Sequence, residues 1–144
     1  MNNTIGRNVR MTLFGESHGS AIGAVLDGFA AGVEVDEAFI ARQLSRRRPQ
    51  GSKETARVER DDYRIVSGVF NCHTTGEPIC IIIENGDCRS ADFEQTRLLA
   101  RPSHADFVSH LVHNGYEDYR GGGHFSGRIT APIVAVGAIC LTAL

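Results

Sequence analysis

The stretch NVRMTLFGESHGSAIGAVL, residues 8–26, reads as two strands around a turn of small and polar residues. Apolar side chains dominate residues 8–14 and 21–26, while residues 15–20 hold the glycine and serine that tight turns favour. The turn sets a carboxylate, a hydroxyl and an imidazole (Glu16, Ser17 and His18) between Gly15 and Gly19. Glycine lets the backbone approach a ligand closely. An imidazole titrates near neutrality and can serve as a general acid. A solvated histidine at a hairpin tip would leave the same string. A serine nucleophile is disfavoured, because the Gly-x-Ser-x-Gly elbow needs serine in the middle position. Neighbouring Ser17 and His18 would also point to opposite faces of a strand.

Outward from the hairpin, Asp36 caps a helix running to about Arg46, with Phe39, Ile40, Gln43 and Leu44 on one largely apolar face. Arg46-Arg47-Arg48-Pro49 ends it, because proline cannot continue a helix. Residues 50–62 are polar without period and read as a loop. Residues 63–70 and 78–84 read as strands, with Thr74-Thr75-Gly76 as a turn between them and Asn85-Gly86 as a turn after them. Residues 91–99 and 105–113 read as short helices. Arg120-Gly121-Gly122-Gly123 reads as a flexible loop before TAPIVAVGAICLTAL, residues 130–144. That last segment is apolar on every side, which suits a helix buried in an interior. It reaches Leu144 with no glycine cap and no cationic last turn, so the chain is expected to stop in mid-element, as a fragment. Strands and helices mix without a steady βαβ rhythm, which predicts an α+β fold rather than a doubly wound sheet.

Length and composition set the class. The 144 residues suffice for one domain with its own core, and 42% hydrophobic with 22% charged residues is ordinary for a soluble domain. A net charge of −2 gives no global attraction to nucleic acid or to membrane. No signal peptide opens the chain, and no apolar stretch reaches the ~18 residues a spanning helix needs. Cys72, Cys80, Cys88 and Cys140 form no CxxC pair and fit no common zinc pattern. Cys80 and Cys140 lie in apolar runs and read as core residues. A reduced, cytoplasmic protein is expected.

Three further segments carry chemistry. Of the 15 basic residues only Lys53 is lysine; the rest are arginine, whose planar fork suits carboxylates and phosphates, although base-composition bias would give the same count. Arg46, Arg47 and Arg48 complement the negative end of a helix dipole, but three adjacent like charges are better explained if an anion neutralises them. In Arg101-Pro102-Ser103-His104-Ala105-Asp106, His104 lies just before a helix that Ser103 could cap. In Arg120-Gly121-Gly122-Gly123-His124-Phe125-Ser126-Gly127-Arg128, three glycines before a helix suggest a phosphate cradle of backbone N–H groups. No Gly-Lys-Ser/Thr follows, so it is not a Walker loop. No histidine and carboxylate cluster offers a metal site. Together these residues point to an enzyme acting on a small polyanion, with room for a phosphorylated cofactor.

Taken in order, the segments resemble chorismate synthase. The resemblance runs from Thr4-Ile5-Gly6 through Gly15-Glu16-Ser17-His18-Gly19, Arg46-Arg47-Arg48-Pro49, Ser67-Gly68-Val69-Phe70, Thr74-Thr75-Gly76, Arg89-Ser90-x-Asp92 and Arg101-Pro102-Ser103-His104-Ala105-Asp106 to Arg120-Gly121-Gly122-Gly123. It covers essentially the whole chain. Some members have arginine and serine where His124-Phe125 stands here. The resemblance implies a lyase of aromatic amino-acid biosynthesis that eliminates phosphate, 1,4-anti, from 5-enolpyruvylshikimate 3-phosphate to give chorismate. The family requires reduced FMN, and NADPH is a candidate reductant. By resemblance His18 is the acid beside the leaving phosphate, and His104 protonates the reduced flavin near N1. Ser17, Arg47 and Arg48 would contact substrate; Arg47, Lys53, His124, Phe125 and Ser126 would contact the flavin or the pyridine nucleotide. The implied fold is a β-α-β sandwich with central helices, assembled as a homotetramer, of which residues 1–144 are an N-terminal portion ending within a buried helix. The family's C-terminal part supplies further flavin contacts and an aspartate, so the 144-residue chain alone is expected to be inactive. A phosphate-binding module without catalysis and a remnant of a split gene are the competing readings.

Overall fold

In the computed structural model, which describes residues 3–49, 59–86, 93–94 and 99–144, one antiparallel sheet carries a layer of helices on one face. The strands are β1 (Thr4–Gly6), β2 (Arg10–Gly15), β3 (Ala21–Asp27), β4 (Tyr63–Ser67), β5 (Val69–Phe70), β6 (His73–Thr74) and β7 (Ile79–Glu84). The helices are α1 (Glu37–Arg47), α2 (Asp106–Val112) and α3 (Thr130–Thr142). The main sheet has the order β1-β2-β3-β7-β4, and β5 pairs with β6 apart from it.

Alternation decides which face is covered. In the β3–β7 register Ile22 lies opposite Ile83, Ala24 opposite Ile81 and Leu26 opposite Ile79, and all six are buried. Pairing these residues puts one continuous aliphatic surface on one side of the two central strands. Ile40 and Leu44 of α1, four residues apart, and Ala131, Ala135, Val136, Ala138 and Ile139 of α3 close over it. The small residues of α3 let it lie against both α1 and the sheet. Asp36 begins α1 as expected, its Oδ1 accepting from the Phe39 N–H at 2.8 Å. The Tyr63 hydroxyl donates to Glu37 O at 3.1 Å and fastens β4 to the start of α1. Burial, with the charges of Glu37 and Asp36, pushes that phenol up to about 12.

Several local expectations are corrected. Residues 63–70 are not one strand: the register shifts between Ile65 and Ser67, and the chain leaves the sheet at Gly68 to form the separate β5–β6 hairpin. The turn of that hairpin is Asn71-Cys72, both at positive φ, not Thr74-Thr75-Gly76. Thr74 is buried in β6, where its hydroxyl donates to Ala30 O at 2.6 Å and accepts from the Val33 N–H at 3.0 Å. Ser103 does not cap α2, whose N-cap is Ala105 without a side-chain hydrogen bond. α3 is not buried all round: Ile133 and Leu141 are 37% and 56% exposed. Cys80 and Cys140 are half-buried, and burial pushes both thiols up. The expected helix over residues 91–99 and the loop over residues 50–58 lie largely outside the described residues.

One glycine is fixed by close approach. A Cβ on Gly23 would stand 2.2 Å from Phe14 Cζ and 2.4 Å from Ile81 O, because the Phe14 ring lies across its cross-strand partner. Gly23→Ala should therefore lower stability by about 1–3 kcal/mol, the usual cost of overpacking. A urea midpoint unchanged from that of the unmutated chain would contradict this packing.

Candidate active site

The turn between β2 and β3 is gripped from the other end of the chain. Ser17 donates its backbone N–H to Gly123 O at 3.0 Å, and His124 Nδ1 lies 2.8 Å from Gly15 O. A Cβ on Gly121 would stand 2.4 Å from His18 Cδ2, so the loop backbone lies directly on the imidazole. Gly121, Gly122 and Gly123 all take positive φ, the region that only glycine enters cheaply. A Cβ on Gly123 would meet Asp118 O at 2.2 Å. The triple glycine is therefore a packing device that seats Ser17 and His18. The expectation that the long helix starts directly after the glycines is corrected, since α3 begins only at Thr130, beyond a second short turn at Gly127–Ile129. Ser17 is buried, and Asn85 braces the turn from behind, its Nδ2 donating to Glu16 O at 3.0 Å and Gly19 O at 2.9 Å.

Beside this turn lies a pocket of about 250 Å³. Phe93 sets its edge on His18, with ring centroids 4.8 Å apart, and also lines the pocket. Phe107 and Tyr119 are further aromatic walls, and Gly122 brings the glycine loop to the rim. Ala105 lines the pocket, so the exposed His104 sits at its margin next to α2. Arg101 grips Asp106 with two side-chain bonds, Nε to Oδ2 at 2.8 Å and Nη2 to Oδ1 at 2.9 Å. Those bonds hold the Asp106 carboxyl down to about 2. Across the pocket, burial would push the Asp118 carboxyl up, but hydrogen bonds from Arg120 and the charges of Arg120 and His18 overcome it and hold the group below its ordinary value.

The arginines at the end of α1 find their anion inside the protein. Asp61, with a side chain 0% exposed, takes Arg47 Nη2 at 2.8 Å and has Arg48 Nε at 3.9 Å. It also pairs with the buried Arg128, which approaches Glu59 at 3.8 Å. Arg128 Nε donates to Asn85 Oδ1 at 3.0 Å. A continuous polar chain thus runs from Arg47 through Asp61, Arg128 and Asn85 to the backbone of Glu16 and Gly19. Asp61 itself holds a positive φ of 54°, uncommon for a residue with a Cβ.

The structure brings together Ser17, His18 and residues 121–124; of these only Gly122 lines the pocket, and the exposed His104 is next to the lining residue Ala105. It puts Arg47 and Arg48 in an ionic cluster around Asp61, which Arg128 and Asn85 join to the turn. Phe125 is 39% exposed, and Ser126 caps the Gly127–Ile129 turn by accepting from the Arg128 N–H at 3.3 Å. Lys53 lies outside the described residues. Sequence reasoning missed Glu59, Asp61, Phe93, Asp118 and Tyr119. An acidic pair in the Arg60-Asp61-Asp62 string beside an arginine-rich helix end was the one available signal for Asp61. Among the described residues no cluster of His, Cys, Asp and Glu could hold a metal ion, and no helix is long and apolar enough to cross a membrane.

Comparison with known proteins gives one answer. The family profile for chorismate synthase matches residues 9–144. The chorismate synthase of Chitinophaga pinensis is 49% identical over 137 residues, which is 95% of this chain and 41% of that protein. That of Aeropyrum pernix is 49% identical over 94% of this chain and 36% of its own length. The Nitratiruptor protein is 51% identical over 95% and 38%. A solved structure described as a crystal structure of chorismate synthase superposes with a TM-score of 0.67 at 32% identity, covering 94% of this chain and 33% of that one. The chain therefore spans roughly two fifths of the length of these relatives, and its α+β sheet-and-helix arrangement is that of the corresponding part of their fold.

Two measurements check the charge network. Asp61→Ala should cost about 3–5 kcal/mol, because it strips the buried Arg128 of its carboxylate; a loss under about 1 kcal/mol in urea unfolding would contradict the network. Asp106 sits at about 2, below its ordinary 3.8, so its contribution to stability is present above about pH 4 and is lost as pH falls toward 2. Asp106→Asn should therefore show a smaller fall in urea midpoint between those pH values than the unmutated chain, and parallel curves would exclude the assignment.

Proposed function

The chain belongs to the chorismate synthase family, and from that premise we propose that it forms the part of a chorismate synthase that carries the acid histidine. The reaction is the 1,4-anti elimination of phosphate from 5-enolpyruvylshikimate 3-phosphate to give chorismate, a carbon–oxygen lyase step of aromatic amino-acid biosynthesis. The observation that carries the reading is His18 held between the Gly121 backbone and the Phe93 edge beside an aromatic-walled pocket. An imidazole fixed there donates its proton to the leaving phosphate, which departs more readily as the protonated ester oxygen is released. Ser17 supports that position, and Arg47 and Arg48 contribute positive charge toward a substrate with two carboxylates and a phosphate.

The residues present fit a flavin in one respect: Phe93, Phe107 and Tyr119 give the pocket faces on which a planar ring can stack. Reduced FMN, when bound, would supply an electron-rich ring beside the reacting carbons. His104, at the pocket margin, would hand a proton toward flavin N1. His124, Phe125 and Ser126 follow the glycine loop that reaches the pocket at Gly122. Arg47 and Lys53 are the candidate contacts for NADPH as reductant. Membership of this family also suggests cytoplasmic action and assembly as a homotetramer, and the exposed Ile133 and Leu141 side of α3 suits coverage by a further layer.

Turnover under anaerobic conditions with pre-reduced FMN tests the reading. The 144-residue chain alone should be inactive, and a chimera completed with the remaining length of the Chitinophaga pinensis relative should form chorismate. His18→Ala in that chimera should slow turnover roughly a hundredfold to ten-thousandfold. Full activity of the variant would remove His18 from the chemistry, and chorismate formation by the chain alone would overturn the expected inactivity.

A further inference from the structure

His124 lies in an irregular segment that touches the Ser17–His18 turn at three points. Gly121 lies on the His18 ring, Gly123 O accepts from the Ser17 N–H at 3.0 Å, and the His124 ring reaches Gly15 O at 2.8 Å. The first two contacts are backbone packing and a backbone bond. The third is a side-chain hydrogen bond from this segment to the turn. A carbonyl oxygen only accepts, so the ring nitrogen facing it must carry the hydrogen. The neutral ring is then held with hydrogen on Nδ1, and its lone pair is left on Nε2.

The position of that bond gives it leverage. Gly15 is the last residue of β2, paired with Ile22 at the edge of the ladder, and beyond it the turn has no strand partner. The carbonyl of Gly15 is therefore a point at which the path of the turn is fixed where it leaves the ladder, two residues before Ser17. Asn85 fixes the turn from the opposite side through Glu16 O and Gly19 O. His124 and Asn85 together hold it from both directions. A histidine ring is rigid beyond two torsions, so one bond from it orients more than a bond from a longer flexible chain does.

We propose that His124 is a positioning residue for the Ser17–His18 turn, acting through an Nδ1–H bond to the Gly15 carbonyl that fixes the tautomer of its own ring. Its bearing on turnover rests on the reading of His18 as the acid; the bond and the tautomer do not. Nε2 has no hydrogen-bond partner among the described residues, so the same ring keeps a proton-accepting nitrogen next to the turn it positions.

Nitrogen-15 NMR of histidine-labelled protein at about pH 8, where an ordinary imidazole is neutral, reads the tautomer directly. The expected result is protonated Nδ1 and bare Nε2 at His124; the opposite tautomer overturns the proposal. Amide exchange then separates positioning from general support. In His124→Leu the Ser17 amide should exchange roughly fivefold to tenfold faster, while the Ile81 amide in the core strand β7 stays unchanged. The His18 ring protons should shift in the same variant. His124→Gln, which keeps an N–H donor, should restore the Ser17 exchange rate and the His18 resonances. Unchanged Ser17 exchange in His124→Leu, or equal acceleration at Ser17 and Ile81, would sink the idea. Should His124→Leu not fold, the tautomer and the His124→Gln exchange rates still decide it. None of these readouts depends on chorismate formation, so a failed turnover assay leaves them standing.

Discussion

The guanidinium of Arg128, 5% exposed, is the group around which this arrangement has to be built. A buried cation costs several kcal/mol of lost hydration unless carboxylates and carbonyls surround it. Here the surroundings come from distant parts of the sequence: Asp61 and Glu59 ahead of β4, Glu84 O at the end of β7 and Asn85 just after it. Satisfying Arg128 therefore requires those segments to converge where α3 begins. Asp61 is shared with Arg47, so the same requirement fixes the end of α1. Asn85 is shared with the β2–β3 turn, so it also fixes the backbone under His18. The aliphatic pairing of β3 with β7 drives burial, but it does not select which loops meet. The Arg128 network does.

The glycine loop illustrates how one composition can serve two physical ends. A run of glycines suggests exposed N–H groups awaiting a phosphate. In this fold the space a Cβ would fill is taken by the His18 ring at Gly121 and by Asp118 O at Gly123. Positive φ at three successive residues lets the chain fold back over the turn without side chains intervening. The loop thus supplies precision to the histidine, and the aromatic pocket next to it supplies the volume. Packing the imidazole against the Gly121 backbone and the Phe93 ring limits its rotamers, as the acid role proposed for His18 would require.

Much of this was legible in the chain. The hairpin over residues 8–26, helix α1 with its Asp36 cap, strand β7, helix α2 and helix α3 all follow from local periodicity and capping chemistry. The turn with Ser17 and His18 and its partnership with the glycine loop followed from motif order. What the sequence concealed was non-local. Val66 and Ser67 keep strand-like composition and hide the register shift after Ile65, and only Gly68, at positive φ, signals that the strand breaks there. Nothing in a polar string distinguishes the fully buried Asp61 from the exposed Asp62, since only the approach of Arg47 and Arg128 makes burial tolerable. Thr74 read as a turn residue because its hydroxyl is polar, yet its two partners are Ala30 and Val33, some forty residues away.

The arginines show why counting charge is a poor guide to an anion site. Arg47 faces Asp61, Arg101 faces Asp106, Arg120 faces Asp118, and Arg128 faces Asp61 and Glu59. Each of these four meets a resident carboxylate, and the Arg101 hydrogen bonds hold the Asp106 carboxyl down to about 2, while Arg47 Nε and Arg48 Nε are buried with no hydrogen-bond partner among the described residues. A polyanion entering this region would not meet bare cations. It would compete with resident carboxylates, gaining only the difference between two charge-assisted bonds. Such balance has a structural use, because an unliganded cluster of bare guanidiniums would repel itself and loosen the turn it is meant to hold. It also has a chemical consequence: at these four arginines an anion gains only by displacing a resident carboxylate, so a ligand that matches the spacing of several of them at once would be favoured over one that meets a single fork.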